Sequence, residues 1–212
     1  MPIYSIEGNI GSGKSTLLAQ LKKVSPELIF IPEPVDEWNT FKDSSGVTIL
    51  ENYYKDQSRW AFSFQMMAFI TRVKQLRDIP KGVVVIMERS VFTDRNIFAK
   101  MLFDSGKIHD IEYAIYLKWF DELVGNLVVD GVVYVNTSPE VCAQRVQKRA
   151  RPGEEPIEFE YLVKCDEYHE EWLRDHPNKL VLNGDLCTPE EMVTPTLTFF
   201  LLQSAKCFFS PS

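Results

Sequence analysis

What this chain has little of narrows its class before any motif is read. It has four cysteines, Cys142, Cys165, Cys187 and Cys207, far apart and without a C-x-x-C pair. That spacing points to neither a zinc site nor a disulfide framework and fits a reducing compartment. Long hydrophobic runs are missing: the most apolar late stretch, Leu197 to Leu202, is far shorter than the roughly 20 residues of a membrane-crossing helix. A basic surplus is missing too. The formal net charge is −7, so the broad positive surface of a nucleic-acid binder is not expected. No repeat, low-complexity tract or interdomain linker interrupts the sequence. With a first strand expected from Ile3 there is no room for a secretory or transit peptide, and the expected location is cytoplasmic. At 212 residues, 45% hydrophobic and 25% charged, the composition is that of one globular domain spanning 1–212.

What is present starts at GNIGSGKST, the stretch Gly8, Asn9, Ile10, Gly11, Ser12, Gly13, Lys14, Ser15 and Thr16. It carries the phosphate-binding spacing G-x-x-x-x-G-K-[ST]. Glycines let the backbone wrap an anion and turn its N–H groups inward. Lys14 supplies charge to the outer phosphates, and the Ser15 hydroxyl suits a Mg²⁺ shell. A helix expected over 14–23 adds its positive N-terminal end. The loop says ATP or GTP and nothing of the acceptor.

Apolar runs at Ile3–Ile6, Leu28–Ile31, Val83–Met87, Val132–Val135 and Leu180–Leu182 read as strands. Between them the patterns Ser58–Arg77, Val91–Phe103, Ile111–Val124, Pro139–Arg149, Phe159–Arg174 and Pro189–Leu202 read as helices. The alternation predicts an α/β fold: a five-stranded parallel sheet flanked by helices, with ligands beyond the strands' carboxyl ends. Asn39–Thr48, Ser105–His109 and Arg151–Pro156 are expected to be loops.

Candidate chemistry sits at those strand ends. Glu33, between two prolines, is held on a stiff turn where a carboxylate could take a proton from an attacking hydroxyl. Glu88 closes the third strand like a Walker-B acid that organises Mg²⁺, with Arg89 beside it. On the long helix Gln65, Ala68 and Arg72 share a face, next to Phe64, as a base-reading wall, and Asp94 is the candidate partner of Arg72. Arg145, Arg149 and Arg151 form a basic cluster suited to a lid over phosphates, about 145–156. Two decoys fail on spacing. HEEWLRDH has Leu173 where a zinc helix needs its second histidine, and NKLV ends in Val181 where a guanine-reading motif needs aspartate.

Taken in order, IEGNIGSGKST, PEPVDEW, RWAFSFQ, ERSVFTDRNIFA, RVQKRAR and EYLVKCDEYHEEWL resemble the deoxynucleoside kinase family, over about residues 3–183. The resemblance implies a P-loop kinase fold with an arginine-rich lid, and transfer of the γ-phosphoryl of ATP, with Mg²⁺, to a nucleoside 5′-hydroxyl. It implies Glu33 as general base, Arg89 beside it and Glu88 near the metal. It also implies Gln65 on the base edge, Trp38, Phe64 and Phe98 as aromatic walls, and Leu50 beside the sugar. Tyr54 and Glu154 match the pair holding the 3′-hydroxyl, and Arg145, Arg149 and Arg151 match the lid arginines. Ala68, Arg72 and Asp94 look like the deoxycytidine/deoxyguanosine kinase type, implying those bases over thymine. Family members are commonly dimers, and the apolar residues of Ile111–Val124 could supply that face. The tail from Cys187 matches no family motif. A nucleoside monophosphate kinase of the thymidylate type is the nearest alternative, but an ionised acceptor needs no base such as Glu33. A GTPase-type switch is the other, and it lacks its guanine-reading motif.

Overall fold

The first strand, β1 (Ile3–Glu7), is buried at every residue, which fits a strand covered on both faces. It lies at the centre of the sheet. In the computed structural model, which describes residues 2–77, 79 and 82–209 (from 205 on by backbone alone), five strands run in the order β2-β3-β1-β4-β5. The others are β2 (Ile29–Ile31), β3 (Val85–Glu88), β4 (Gly131–Asn136) and β5 (Lys179–Asn183), and every pairing is parallel. The five expected strands are thus all present, and the α/β architecture is the one the alternation implied.

The helices are α1 (Lys14–Val24), α2 (Val35–Trp38), α3 (Ile49–Lys55), α4 (Gln57–Arg77), α5 (Val91–Thr93), α6 (Lys100–Asp104), α7 (Asp110–Val124), α8 (Pro139–Arg149), α9 (Phe159–Leu173) and α10 (Pro189–Phe209). Between α5 and α6 the turn widens to a π-helix over Asp94–Ala99. Such segments gather at functional sites, and this one carries Asp94 and Phe98.

Helices α2 and α3 were not in the periodicity reading, since each is too short to show an apolar stripe. For α3 a local signal existed: T-I-L-E is a capping box. The Thr48 hydroxyl accepts from Glu51 N–H at 3.2 Å, and the Glu51 carboxylate accepts from Thr48 N–H at 2.7 Å.

The tail docks as a helix longer than expected. From α10, Met192, Val193 and Phe200 enter one core with Tyr4 and Ile6 of β1 and Leu17 and Leu21 of α1. Phe199 lies so close to Gly131 that a Cβ there would sit 2.9 Å from its ring. The opposite sheet face buries Ile3, Ile31, Val85 and Met87 under Leu76 of α4. Among the described residues, no helix is long and apolar enough to cross a membrane. His169, from the first decoy, is wholly buried, and burial pushes its pKa down to about 3, so the ring is neutral. Its Nδ1 lies 2.5 Å from the Cys165 carbonyl oxygen, a core contact.

Candidate active site

The β1 end and the start of α1 make the phosphate loop. Gly8 has φ +143°, and a Cβ there would lie 2.6 Å from the Val135 carbonyl oxygen, so only glycine fits. Asn9 Nδ2 donates to the Leu162 carbonyl at 2.8 Å and ties the loop to α9. Lys14 is buried, its Nζ donating to the Asn9 carbonyl at 2.6 Å. Burial, then the neighbouring Arg89, bring its pKa down to about 7, against the pull of Glu88 and Glu33. An anion on the loop would restore its charge.

Glu88 and Ser15 face each other across the loop: the serine hydroxyl donates to Glu88 Oε1 at 2.5 Å. Two hard oxygen ligands side by side fit a small divalent cation whose remaining positions are taken by phosphate and water. Arg89 is the unusual residue here. Its φ is +59°, a left-handed backbone that costs a non-glycine residue about 1–2 kcal/mol. Its guanidinium lies 5.1 Å from the Phe98 ring centroid.

Glu33 accepts from Arg89 Nη1 at 2.7 and 3.0 Å and from Arg72 Nη2 at 2.6 Å. Burial alone would raise its pKa, but Arg89, Arg72 and Lys14 outweigh that and hold the carboxyl well below the usual range. Arg72 is 1% exposed and uses every nitrogen: Nε to Asp94 at 3.1 Å, Nη1 to the Glu88 carbonyl at 3.0 Å, and Nη2 to Glu33. The expected Arg72–Asp94 pair is there, and it extends to Glu33, a link that residue spacing did not show. Asp94 is pushed up to about 6 by burial first, with Glu33 adding to the rise and Arg72 opposing it.

One cavity of about 460 Å³ joins these groups. Its far end is walled by Trp38, Leu50, Tyr54 and Phe64, with Trp38 and Phe64 edge to face at 5.4 Å. Trp38 is fixed by its Nε1 donating to Thr71 Oγ1 at 2.9 Å. Gln65 and Ala68 line the same wall, and the buried Gln65 Oε1 has no hydrogen-bond partner among the described residues. A buried amide oxygen left unpaired beside a cavity is costly unless a ligand's donor completes it.

The three arginines expected in the lid divide. Arg145 donates to the Ser12 carbonyl at 3.0 Å and the Gly184 carbonyl at 2.8 Å, and so braces the phosphate loop. Arg149 and Arg151 both hold Glu154, at 2.6 and 3.1 Å. Glu154, buried, lines the cavity with Tyr54.

Several cavity residues escaped the sequence reading. Gly184, Cys187 and Met192, after β5, line the end beside the phosphate loop. Tyr53 stacks on Phe64 at 4.5 Å and bonds Tyr161 hydroxyl to hydroxyl at 2.8 Å. No local pattern marks the first three; for Tyr53 only its place in α3 could have.

Comparison with known proteins agrees with this geometry. The deoxynucleoside kinase family pattern matches residues 4–196. Deoxycytidine kinase 2 of Gallus gallus is 40% identical over 192 residues, covering 80% of this chain and 72% of its own. Deoxycytidine kinase of Homo sapiens is 35% identical over 193 residues, with 80% and 74% covered. Mitochondrial deoxyguanosine kinase of Xenopus laevis is 34% identical over 190 residues, with 80% and 72% covered. A likeness this extensive, on a chain whose acid, arginines and phosphate loop meet in one cavity, identifies it: the protein belongs to the deoxynucleoside kinase family and is an ATP-dependent deoxynucleoside kinase.

Proposed function

We propose that the 5′-hydroxyl of a deoxynucleoside meets Glu33 at the centre of the cavity, with the base in the Trp38–Phe64 end and ATP phosphates on residues 8–16. The observation that carries this is the position of Glu33: a largely buried carboxylate clamped by two arginines, between the phosphate loop and an aromatic slot with an unpaired amide. Glu33 takes the hydroxyl proton as the γ-phosphoryl moves in line, and Lys14 and Arg89 bear the charge that develops. Mg²⁺, held by Ser15 and Glu88 partly through water, would neutralise phosphate charge. Arg149 and Arg151 close over the phosphates from the lid, about 145–156, while Arg145 holds the loop's shape. Tyr54 and Glu154 take the sugar 3′-hydroxyl, Leu50 packs on the sugar, and Phe98 steadies Arg89. Gly184, Cys187 and Met192 form the donor-base end. The whole chain acts as one catalytic domain, in a reducing cytoplasm where Cys142, Cys165 and Cys187 stay free as they are here.

For the acceptor base, we propose deoxycytidine or a purine deoxynucleoside over thymidine. Gln65 and Asp94 can pair with a base edge, while Arg72, with each guanidinium nitrogen already bonded within the protein, acts by bulk and charge against a thymine methyl. The names of the relatives support the same preference. A coupled ATP-turnover assay on the four deoxynucleosides and dTMP tests it. Deoxycytidine or a purine should give the highest kcat/KM. Thymidine first would overturn the preference, and turnover of dTMP alone would turn the reading to a monophosphate kinase.

We also propose a homodimer. Ile111, Ile115 and Trp119 are 76%, 41% and 50% exposed and fall at i, i+4 and i+8 on one face of α7, an apolar stripe that water disfavours. Sedimentation equilibrium should return twice the chain mass of 24.5 kDa, and the single-chain mass would remove the proposal.

A further inference from the structure

We propose that Glu7, which no step above uses, is a positioning residue that holds the Glu88–Arg89 turn in its working shape. The inference rests on the roles proposed for Glu88 and Arg89. Glu7 is the last residue of β1, just before the phosphate loop, and its side chain is completely buried. Among the described residues it forms no ion pair, and the Arg89 guanidinium acts on it only through space. A carboxylate so buried is an expensive choice for a sheet core, where an apolar side chain would fill the space.

What the carboxylate does hold is the chain just past Arg89. Glu7 Oε1 accepts from the Ser90 backbone N–H at 3.0 Å, and Oε2 accepts from the Thr93 hydroxyl at 2.5 Å. The Thr93 oxygen in turn accepts from the same Ser90 N–H at 3.2 Å, so strand, turn and helix start form one closed set of bonds. On the other side of the turn, the Arg89 N–H donates to the Ile6 carbonyl at 3.0 Å. Arg89 is therefore pinned before and after by adjacent residues of β1. A non-glycine residue keeps a left-handed backbone only when its surroundings over-determine it, and these two anchors do so. The consequence is directional. With the backbone turned this way, the guanidinium reaches Glu33 and the Gly8 carbonyl, at 2.7 and 3.3 Å, while Glu88 stays toward Ser15. A carboxyl group accepts through both oxygens, taking the Ser90 N–H and the Thr93 O–H, whereas an amide offers one accepting oxygen, which is why glutamate rather than glutamine suits the task.

The test is steady-state kinetics with deoxycytidine and ATP on full-length Glu7→Gln, normalised to the active fraction by nucleotide titration. The expected result is a kcat lower by about 10- to 100-fold, as for a reacting group displaced by an ångström, with both KM values within about threefold. A residue that only stabilises the fold would lower the melting point and the active fraction and leave the normalised kcat alone, and that outcome overturns the proposal. Should Glu7→Gln fail to fold, Thr93→Val, which keeps the carboxylate and the shape, decides instead. Its normalised kcat should also fall, and an unchanged value overturns the proposal. Arg89→Lys serves as the reference. If it is impaired while Glu7→Gln and Thr93→Val are not, Glu7 alone loses its role. If Arg89→Lys keeps full kcat, the role of Arg89 falls and the proposal for Glu7 with it.

Discussion

Glu33→Gln should lower kcat by about 10²–10⁴-fold, the usual worth of a positioned general base, while nucleoside KM changes little. The side chain keeps its size and can still accept from one arginine, so the pocket keeps its shape. What it loses is the ability to take a proton. The arginines and Lys14 hold Glu33 below the ordinary carboxylate range in the free protein, so its proton affinity there is low. ATP changes that balance. Phosphates on Lys14 and the arginines compensate their charge, and the pull that depresses Glu33 weakens in the complex where a base is needed. In the free protein Glu33 stays ionised across neutral and mildly acid pH, so it contributes no acid limb to kcat/KM there. The linkage to stability has a definite sign. The folded pKa lies below the reference 4.5, so the stabilisation is present above that value and is lost as pH falls through the folded one. Acid titration of the folded state should therefore lose this component in Glu33→Gln. Single-turnover mixing with excess enzyme measures the chemical step directly, and an unaltered rate would take the base role from Glu33.

Arg72→Met should be the most damaging single substitution for stability, by about 3–5 kcal/mol, the cost of breaking a buried ion pair from one side. Arg72 stands between the buried Asp94, at 2.9 Å, and the part-buried Glu33, at 2.6 Å, and its loss leaves both less compensated. Removing Asp94 as well takes away one stranded charge. The double variant Arg72→Met/Asp94→Ala should therefore be more stable than the sum of the single effects predicts, by about 0.5–3 kcal/mol of coupling. The same double change opens space where a thymine methyl would sit, so the kcat/KM ratio of thymidine to deoxycytidine should rise. Urea unfolding reads the first effect and the paired kinetic assay the second. Additive energies would mean that Arg72 and Asp94 act separately, and an unmoved ratio would mean that neither sets base choice.

Much of this was legible in the residue order because the signals are local. The phosphate loop needs a strand, glycines at fixed spacing and a helix within a dozen residues, and Gly8 to Thr16 carries them contiguously. The central strands announced themselves as apolar runs because β1, β3 and β4 are buried on both faces, while the edge strands β2 and β5 kept enough apolar residues to be read. Glu33, Glu88 and Arg89 stood out as candidates for the same reason: they lie at or just past the ends of β2 and β3, where such sheets place their ligands. The short α2 and α3 were missed because a helix of one or two turns has no periodicity to read. The docking of α10 could not be read either, because what it packs on, Tyr4 and Leu17, lies more than a hundred residues away.

By itself, then, the sequence determined the kind of fold, the phosphate-loop spacing and the family motifs, since each depends on neighbours within a few positions. Only the tertiary structure decided how those residues are wired. Arg72 spends its third nitrogen on Glu33, Arg145 braces the loop while Arg149 and Arg151 grip Glu154, and Glu7 locks a turn 83 residues further along. The reason is physical. A buried charge or amide must find its partners in space, and when the sheet brings β1, β3 and α4 together, those partners come from distant parts of the chain.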